Sequence, residues 1–386
     1  MFQSKSRTSL TNKKTLLFGL ISVFLCGMGF SIIMPVVPFL VTPYVTNASD
    51  QALMVTLLTS VYAFCVFFAA PGLGALSDRF GRRPVLLICF IGSAIGYFIF
   101  GLGGALWVLF LGRIIEGITG GSISTLFAFF ADITPQEERT KYFGWVSAAA
   151  GAGAALGPAF GGLLAHFGYA MPFFFGATIT FINFLFGYFY MPESLDDANR
   201  LKRIPLMRLN PFSQLLNILT IKNLGRLLIA AFFIWVPNGS LQAVMSQFAI
   251  DSFSWKPALI GMMFSIMGIQ DILSQAFVMP KLLIRLTDKQ IAVLGMIAEI
   301  IGYSLIATSS IFGPSFNGMV SKAASASEQG RIQGGSQAIQ SLARIIGPII
   351  GGQIYITLGH AAPAIMGVLL ITVAIFILYK KTSLAK

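Results

Sequence analysis

The chain has 386 residues, 56% of them hydrophobic and only 10% charged, with a mean hydropathy of +0.80. A soluble domain carries about 25% charged residues, because a water-facing shell must be largely polar; this composition excludes a secreted, cytosolic or nucleic-acid-binding globule. The formal net charge of +12 is then read as membrane topology rather than as affinity for phosphate. A helix needs about 20 apolar residues to cross the ~30 Å hydrocarbon core. Eleven stretches qualify: residues 16–41, 53–73, 85–102, 106–130, 144–165 and 172–190, then, after a polar break, 227–250, 259–282, 291–307, 333–357 and 361–379. The three cysteines, Cys26, Cys65 and Cys89, lie inside these stretches with no spacing that suggests a metal site or a disulfide framework.

Lys and Arg gather on the cytoplasmic side of a membrane protein. With the N-terminus inside, 23 of the 26 basic residues fall in inside segments, Lys256 alone falls outside, and Arg113 and Arg344 lie within spans. Both termini are therefore expected in the cytoplasm and the chain in the cytoplasmic (inner) membrane. The same rule exposes an irregularity. The loops Lys281–Lys289 and Lys322–Arg331 both read as inside, yet only 32 residues separate them. At 1.5 Å per residue these give ~48 Å of helix, against ~60 Å for two full spans. Residues 309–320 are expected to form an abbreviated tenth helix, by design or through an internal deletion, in a chain of twelve crossings by intent.

The two halves repeat. At an offset of 190 residues Gly144, Ala148, Gly157, Pro158, Gly161 and Gly162 match Gly334, Ala338, Gly347, Pro348, Gly351 and Gly352. The repeat period is six helices, a transporter architecture. It divides the chain into an N-terminal bundle at 1–190, a cytoplasmic linker at 191–226 and a C-terminal bundle at 227–386.

Several motifs within this frame are similar to those of a known family. Gly74-Ala-Leu-Ser-Asp78-Arg79-Phe-Gly81-Arg82-Arg83-Pro84, between the second and third spans, resembles motif A of the major facilitator superfamily. Arg113 and Gly117 resemble its motif B, and Gly153-Ala-Ala-Leu-Gly157-Pro158-Ala-Phe-Gly161-Gly162 its motif C, which in that superfamily goes with proton-driven antiporters. The run through Ala131-Asp132-Ile133-Thr134 and the Met34-Pro35-Val36 end of the first span are similar to the tetracycline–proton antiporter group. The resemblance implies an all-α polytopic fold of two six-helix bundles about a pseudo-two-fold axis, here with an abbreviated tenth helix. It implies that motif A (Gly74, Asp78, Arg79, Gly81, Arg82, Arg83) acts as a conformational gate. Physically, a carboxylate at Asp78 in a short turn can accept from a nearby helix N-terminus. Motif C (Gly153, Gly157, Pro158, Gly161, Gly162) offers small residues at helical spacing, either as a pivot surface or as ordinary close packing. The chain departs from the group's pattern at Cys26 and Gly96, where those exporters carry acids.

Ionisable residues within spans face a cavity, a partner or a proton path, since a charge near the bilayer centre costs ~2.5–3.5 kcal/mol. Five qualify. Arg113 and Glu116 lie three apart on one helix, close enough to pair. Asp271 and Glu299 have no opposite charge in their own helices, which suits groups that load and release protons. Arg344 can stabilise one of them or hold an anionic part of the substrate. Glu116, Asp271 and Glu299 are the expected proton-coupling residues. Asn238, Gln242, Gln270 and Gln340, with Gln247 and Gln337, fit a wet cavity lined by hydrogen-bonding groups, and Phe232, Phe233 and Trp235 an apolar lining. His166 and His360, at outer span ends, read as interface residues.

The expectation is a non-enzymatic, proton-coupled exporter of a small amphipathic organic molecule or drug, working by alternating access. No phosphate-binding loop is present in the sequence, so ATP is not the energy source. Expected partners are a small-molecule substrate, protons and the lipid bilayer, with no nucleic acid, metal or cofactor, in a protein acting as a monomer. The alternatives are export of an endogenous metabolite such as a siderophore, symport, and a degenerate copy that does not transport.

Overall fold

An apolar run alone does not say where a helix starts, breaks or stops; prolines, glycines and capping side chains do. The computed structural model describes residues 13–134, 139–202, 204, 209–219, 224–305 and 329–379, and all regular structure among them is helical. Helix α1 (Lys13–Ile32) does not run on to residue 41 as expected. A turn at 33–36 separates it from the short α2 (Val37–Val41). Pro35 explains the break, because it removes a backbone donor and disfavours helix in the residue before it, while Pro38 sits in the first turn of α2, where no donor is needed.

Helix α3 (Ala48–Phe80) has 33 residues, well beyond the expected 53–73. Asn47 starts it: its Oδ1 accepts the Asp50 backbone N–H at 2.8 Å, and its amide donates to Asp50 Oδ2 at 2.9 Å. At the other end α3 continues through Gly74–Phe80, stops at Gly81 and is followed at once by α4 (Arg82–Leu102). Motif A is thus two helix ends meeting at one residue, not the short turn that hydropathy suggested. The fourth span is likewise two pieces, α5 (Leu106–Thr119) and α6 (Ser122–Ile133), interrupted at Gly120 and Gly121.

Next come α7 (Arg139–Leu164), α8 (Met171–Tyr190), the short linker helix α9 (Pro211–Leu219) and α10 (Leu224–Phe253). Helix α11 (Pro257–Leu273) widens into a π turn at Ser274–Val278 before α12 (Met279–Arg285). The last described helices are α13 (Asp288–Leu305), α14 (Gln329–Leu358) and α15 (Ala362–Tyr379). Nine helical stretches among the described residues are long and apolar enough to span a membrane, and two shorter apolar helices accompany them. The chain is therefore a multi-pass membrane protein. The expected tenth span at 309–320 lies outside the described residues, as does the side chain of Gln337.

The chain divides into two units. The first comprises the described residues up to Tyr44 with Cys65–Asn210 and Trp255–Gly268; the second comprises Val45–Phe64, Pro211–Ser254 and the described residues from Ile269 onward. In the first, α1 packs on α7, and α4 on α5 and α8. Its core holds Phe18, Leu86, Phe90, Leu126, Phe129 and Phe130. In the second, α10 packs on α14 and α15 around Leu227, Leu228, Ala231, Ile234, Met296 and Ile371. Phe232, Phe233 and Trp235, expected as an apolar lining, are partly buried and pack against this same core.

Motif C and its repeat explain the tightest of these seams. Without a hydrophobic drive between helices in lipid, association depends on close packing of small residues. A Cβ at Gly153 or Gly161 would collide with the Phe24 or Ile32 carbonyl of α1, and one at Gly157 with Met28 and Ser31. Gly162 instead faces the Pro257 carbonyl of α11. In the second unit Gly347 and Gly351 press on Val236 and Ser240 of α10, and Gly352 on Thr56 of α3. Pro158 frees its neighbourhood for a cross-helix bond, and the Ala159 N–H donates to Ser265 Oγ at 3.0 Å.

Candidate functional site

The motif A helix ends form a compact polar junction in the first unit. Arg82, buried at the start of α4, donates from Nη1 to Asp78 Oδ1 at 2.6 Å and to Ser77 Oγ at 2.7 Å. Its Nε donates to Asp132 Oδ2, at the end of α6, at 3.0 Å. One guanidinium thereby ties three helix ends through separate nitrogens, a geometry a point-charge lysine cannot reproduce. Ser194 Oγ adds a 3.2 Å bond to the same Asp132 oxygen. The carboxylate on the α4 N-terminus is Glu193, not Asp78. Glu193 accepts the backbone N–H groups of Arg82 at 2.8 Å and Arg83 at 3.2 Å, where the helix dipole favours negative charge.

Gly81 is required at this corner. Its φ is +105°, and an added Cβ would fall on the Glu193 carboxylate. Gly74, by contrast, faces open space. Arg79 is exposed, with its guanidinium 5.0 Å from the Phe80 ring centroid, and Arg83 donates to the Tyr188 carbonyl at 2.6 Å. Glu193 and Asp132 carry as much of the junction as the motif residues. Glu193 showed in the sequence only as an acid just beyond an apolar run, in Pro192-Glu193-Ser194, whereas Asp132 fell within the run Ala131-Asp132-Ile133-Thr134 that resembles the antiporter group.

Deeper in the first unit Arg113 Nη1 and Glu116 Oε2 are 2.8 Å apart, and both residues are 3% exposed. Tyr97 hydrogen-bonds the Glu116 carboxylate, and the Arg113 guanidinium lies 4.5 Å from the Phe100 ring centroid. Gly96 makes this possible. A Cβ there would stand 2.9 Å from the Glu116 backbone nitrogen, so α4 meets α5 too closely for any acid at position 96. Cys26, the other departure, has its Sγ 3.7 Å from Ser122 Oγ.

In the second unit Glu299 of α13, 2% exposed, accepts the Asn238 amide of α10 at 3.3 Å. Asp271 and Gln270 are half-buried on α11, just before the π turn at Ser274; such widened turns recur at functional sites. Gln242 is exposed and Gln340 half-buried. Arg344, exposed on α14, has Tyr62 of α3 as an electrostatic neighbour. At the end of α10 a cluster unforeseen in the sequence joins three helices. Tyr355 donates to Asp251 Oδ2 at 2.7 Å, and the Gln247 amide donates to Asp251 Oδ1 at 2.8 Å and Gln51 Oε1 at 3.2 Å. His360 stacks on Tyr355 with centroids 4.8 Å apart.

The sequence pattern of the Major Facilitator Superfamily matches residues 19–313. The class C tetracycline resistance protein of Escherichia coli is 35% identical, over 86% of this chain and 88% of that protein. Multidrug resistance protein 2 of Bacillus subtilis (strain 168) is 28% identical, over 90% and 91%. The human organic anion transporter MFSD10 (TETRAN) has a similar structure, with a TM-score of 0.76 at 20% identity, covering 95% of this chain and 99% of that one.

Proposed function

This chain belongs to the Major Facilitator Superfamily, and from that premise we propose that it is a proton-coupled exporter. It moves a small amphipathic organic molecule or drug out across the cytoplasmic membrane as protons move in. Relatives spanning nearly its whole length are named as tetracycline and multidrug resistance proteins, which supports a cargo of that class. The observation that carries the coupling is Glu299, a nearly inaccessible carboxylate on a membrane helix, held by the neutral Asn238 amide. A carboxylate so placed is suited to alternate between a protonated and an ionised state as cargo comes and goes.

Asp271 is the second carrier, and Glu116 the third, with Arg113 as counter-charge. Asn238, Gln242, Gln270, Gln340 and Arg344 supply hydrogen-bonding and charged groups towards the cargo. Motif A serves as the gate, and the motif C seams let packed helices shift as rigid bodies. Inward movement of each proton releases about 2.3 kcal/mol per 100 mV of membrane potential. No resident metal or cofactor takes part, the protein works as a monomer, and both termini face the cytoplasm in line with the Lys and Arg bias.

The test is an accumulation and susceptibility panel with the chain expressed in an efflux-deficient host. The proposal expects lower steady-state accumulation of at least one amphipathic compound, abolished by a protonophore. Equal accumulation for every compound, with and without the chain in the membrane, would overturn it. Accumulation raised rather than lowered would mark symport. The altered charges at Cys26, Gly96 and Glu116 favour one variant of this reading, in which the natural cargo is an endogenous metabolite such as a siderophore rather than tetracycline.

A further inference from the structure

A polar side chain buried on a membrane helix must find its partner inside the protein, because the hydrocarbon layer offers none. Tyr97 of α4 is such a group. It is 5% exposed and follows directly on Gly96, where α4 and α5 make backbone contact. Three other helices fix its place. An added Cβ at Gly176 of α8 would touch the Tyr97 ring, 3.7 Å from Cγ, and one at Gly29 of α1 would stand 2.9 Å from Tyr97 Oη. The ring is thus seated on glycine faces of two helices, and its hydroxyl hydrogen-bonds the Glu116 carboxylate of α5.

Glu116 has two chemically different neighbours there. Arg113, with Nη1 2.8 Å from Glu116 Oε2, offers donors only and cannot take the hydrogen of a protonated carboxyl. Its guanidinium also lies against the Phe100 ring, so packing as well as charge sets its place. A phenol has one O–H and two lone pairs. Tyr97 can therefore donate to the ionised carboxylate and, once its O–H has turned, accept from the protonated carboxyl. Among the described residues, Arg113 on the same helix and Tyr97 on the helix packed against it are the charged and titratable groups facing Glu116.

Resting on the reading of Glu116 as a proton carrier, we propose that Tyr97 is its positioning residue. The hydroxyl donates while Glu116 is ionised and accepts once Glu116 is protonated. The carboxyl group stays beside Arg113 through the proton cycle, and only the Tyr97 O–H rotates. Tyr97 keeps its own hydrogen throughout; the proton that is carried arrives and leaves on Glu116.

Infrared difference spectra of the full-length chain in proteoliposomes, titrated from alkaline to acid pH, test this with no cargo present. The C=O stretch of protonated Glu116 is identified as the band that Glu116→Gln removes. Tyr97→Phe keeps the ring on both glycine faces and should move that band to higher frequency, since a hydrogen bond lowers a carboxyl stretch. Gly29→Ala displaces the hydroxyl without deleting it and should move the band the same way. A band at the wild-type frequency in Tyr97→Phe would overturn the proposal while leaving Glu116 a carrier. If Glu116→Gln removes no band at any pH, Glu116 is not a carrier, and this inference falls with that reading.

Discussion

Arg82→Gln is the sharpest perturbation of the motif A junction. Arg82 is buried and makes 2.6 Å and 3.0 Å bonds to two carboxylates, whose side chains are 36% exposed at Asp78 and 20% at Asp132. Removing one member of a fully buried pair costs about 3–5 kcal/mol, because the remaining charge is stranded. Partial solvent access to both acids lowers that to roughly 2–3 kcal/mol here. Adding Asp132→Asn removes one of the stranded charges. The double variant should therefore be about 1–2 kcal/mol more stable than the sum of the two single effects, as for residues in direct contact. Arg82→Lys should recover less than half of the loss, since one ammonium cannot serve both acids along separate directions. Unfolding of the purified chain in mixed micelles, followed by tryptophan fluorescence, measures the parent and all four variants. Additivity within about 0.5 kcal/mol would refute the idea that Arg82 bridges the two acids.

Three further outcomes follow from the same geometry. Gly81→Ala forces a side chain into φ +105° and onto Glu193, and should destabilise by about 1–3 kcal/mol in the same unfolding assay, while Gly74→Ala, facing open space, should stay within about 0.5 kcal/mol of the parent. Gly96→Asp should insert poorly, because its Cβ meets Glu116 and Gly112, and Glu116→Gly should restore part of the membrane yield; a normal yield of Gly96→Asp alone would contradict the α4–α5 packing. Tyr355→Phe strips a 2.7 Å bond from the Asp251 carboxylate and should cost about 1.5–3 kcal/mol, whereas a change under about 0.5 kcal/mol would show that the cluster at the end of α10 is not formed.

Much of the fold was legible because lipid is an unforgiving solvent: apolar stretches must become helices with every backbone group satisfied. The glycines repeated at an offset of 190 also meant what they suggested, since Gly161 and Gly351 each sit where a Cβ would strike the facing helix. Hydropathy failed where backbone and composition part company. Helix α3 continues seven residues past Leu73 because polar side chains do not end a helix, and α1 stops inside an apolar run because prolines do. The partners in the sites were harder to foresee. Glu193 caps a helix that begins 111 residues earlier, and Asp251 meets Tyr355 across 104 residues. Each acid, taken alone in the sequence, is one polar residue at the edge of a span. The Arg113–Glu116 pair was visible because both members share one helix turn. Asn238 and Glu299 were each visible as polar residues in lipid, but their bond across 61 residues was not.

The central claim is that carboxylates within the membrane helices exchange a proton for cargo. Its most direct test is flux in proteoliposomes, using a compound identified by the accumulation panel, with the wild-type chain compared against Glu299→Gln combined with Asp271→Asn. An imposed pH gradient should drive uphill movement of the compound only in the wild type, while downhill counterflow persists in the variant. Undiminished pH-driven accumulation by the doubly substituted protein would contradict the account.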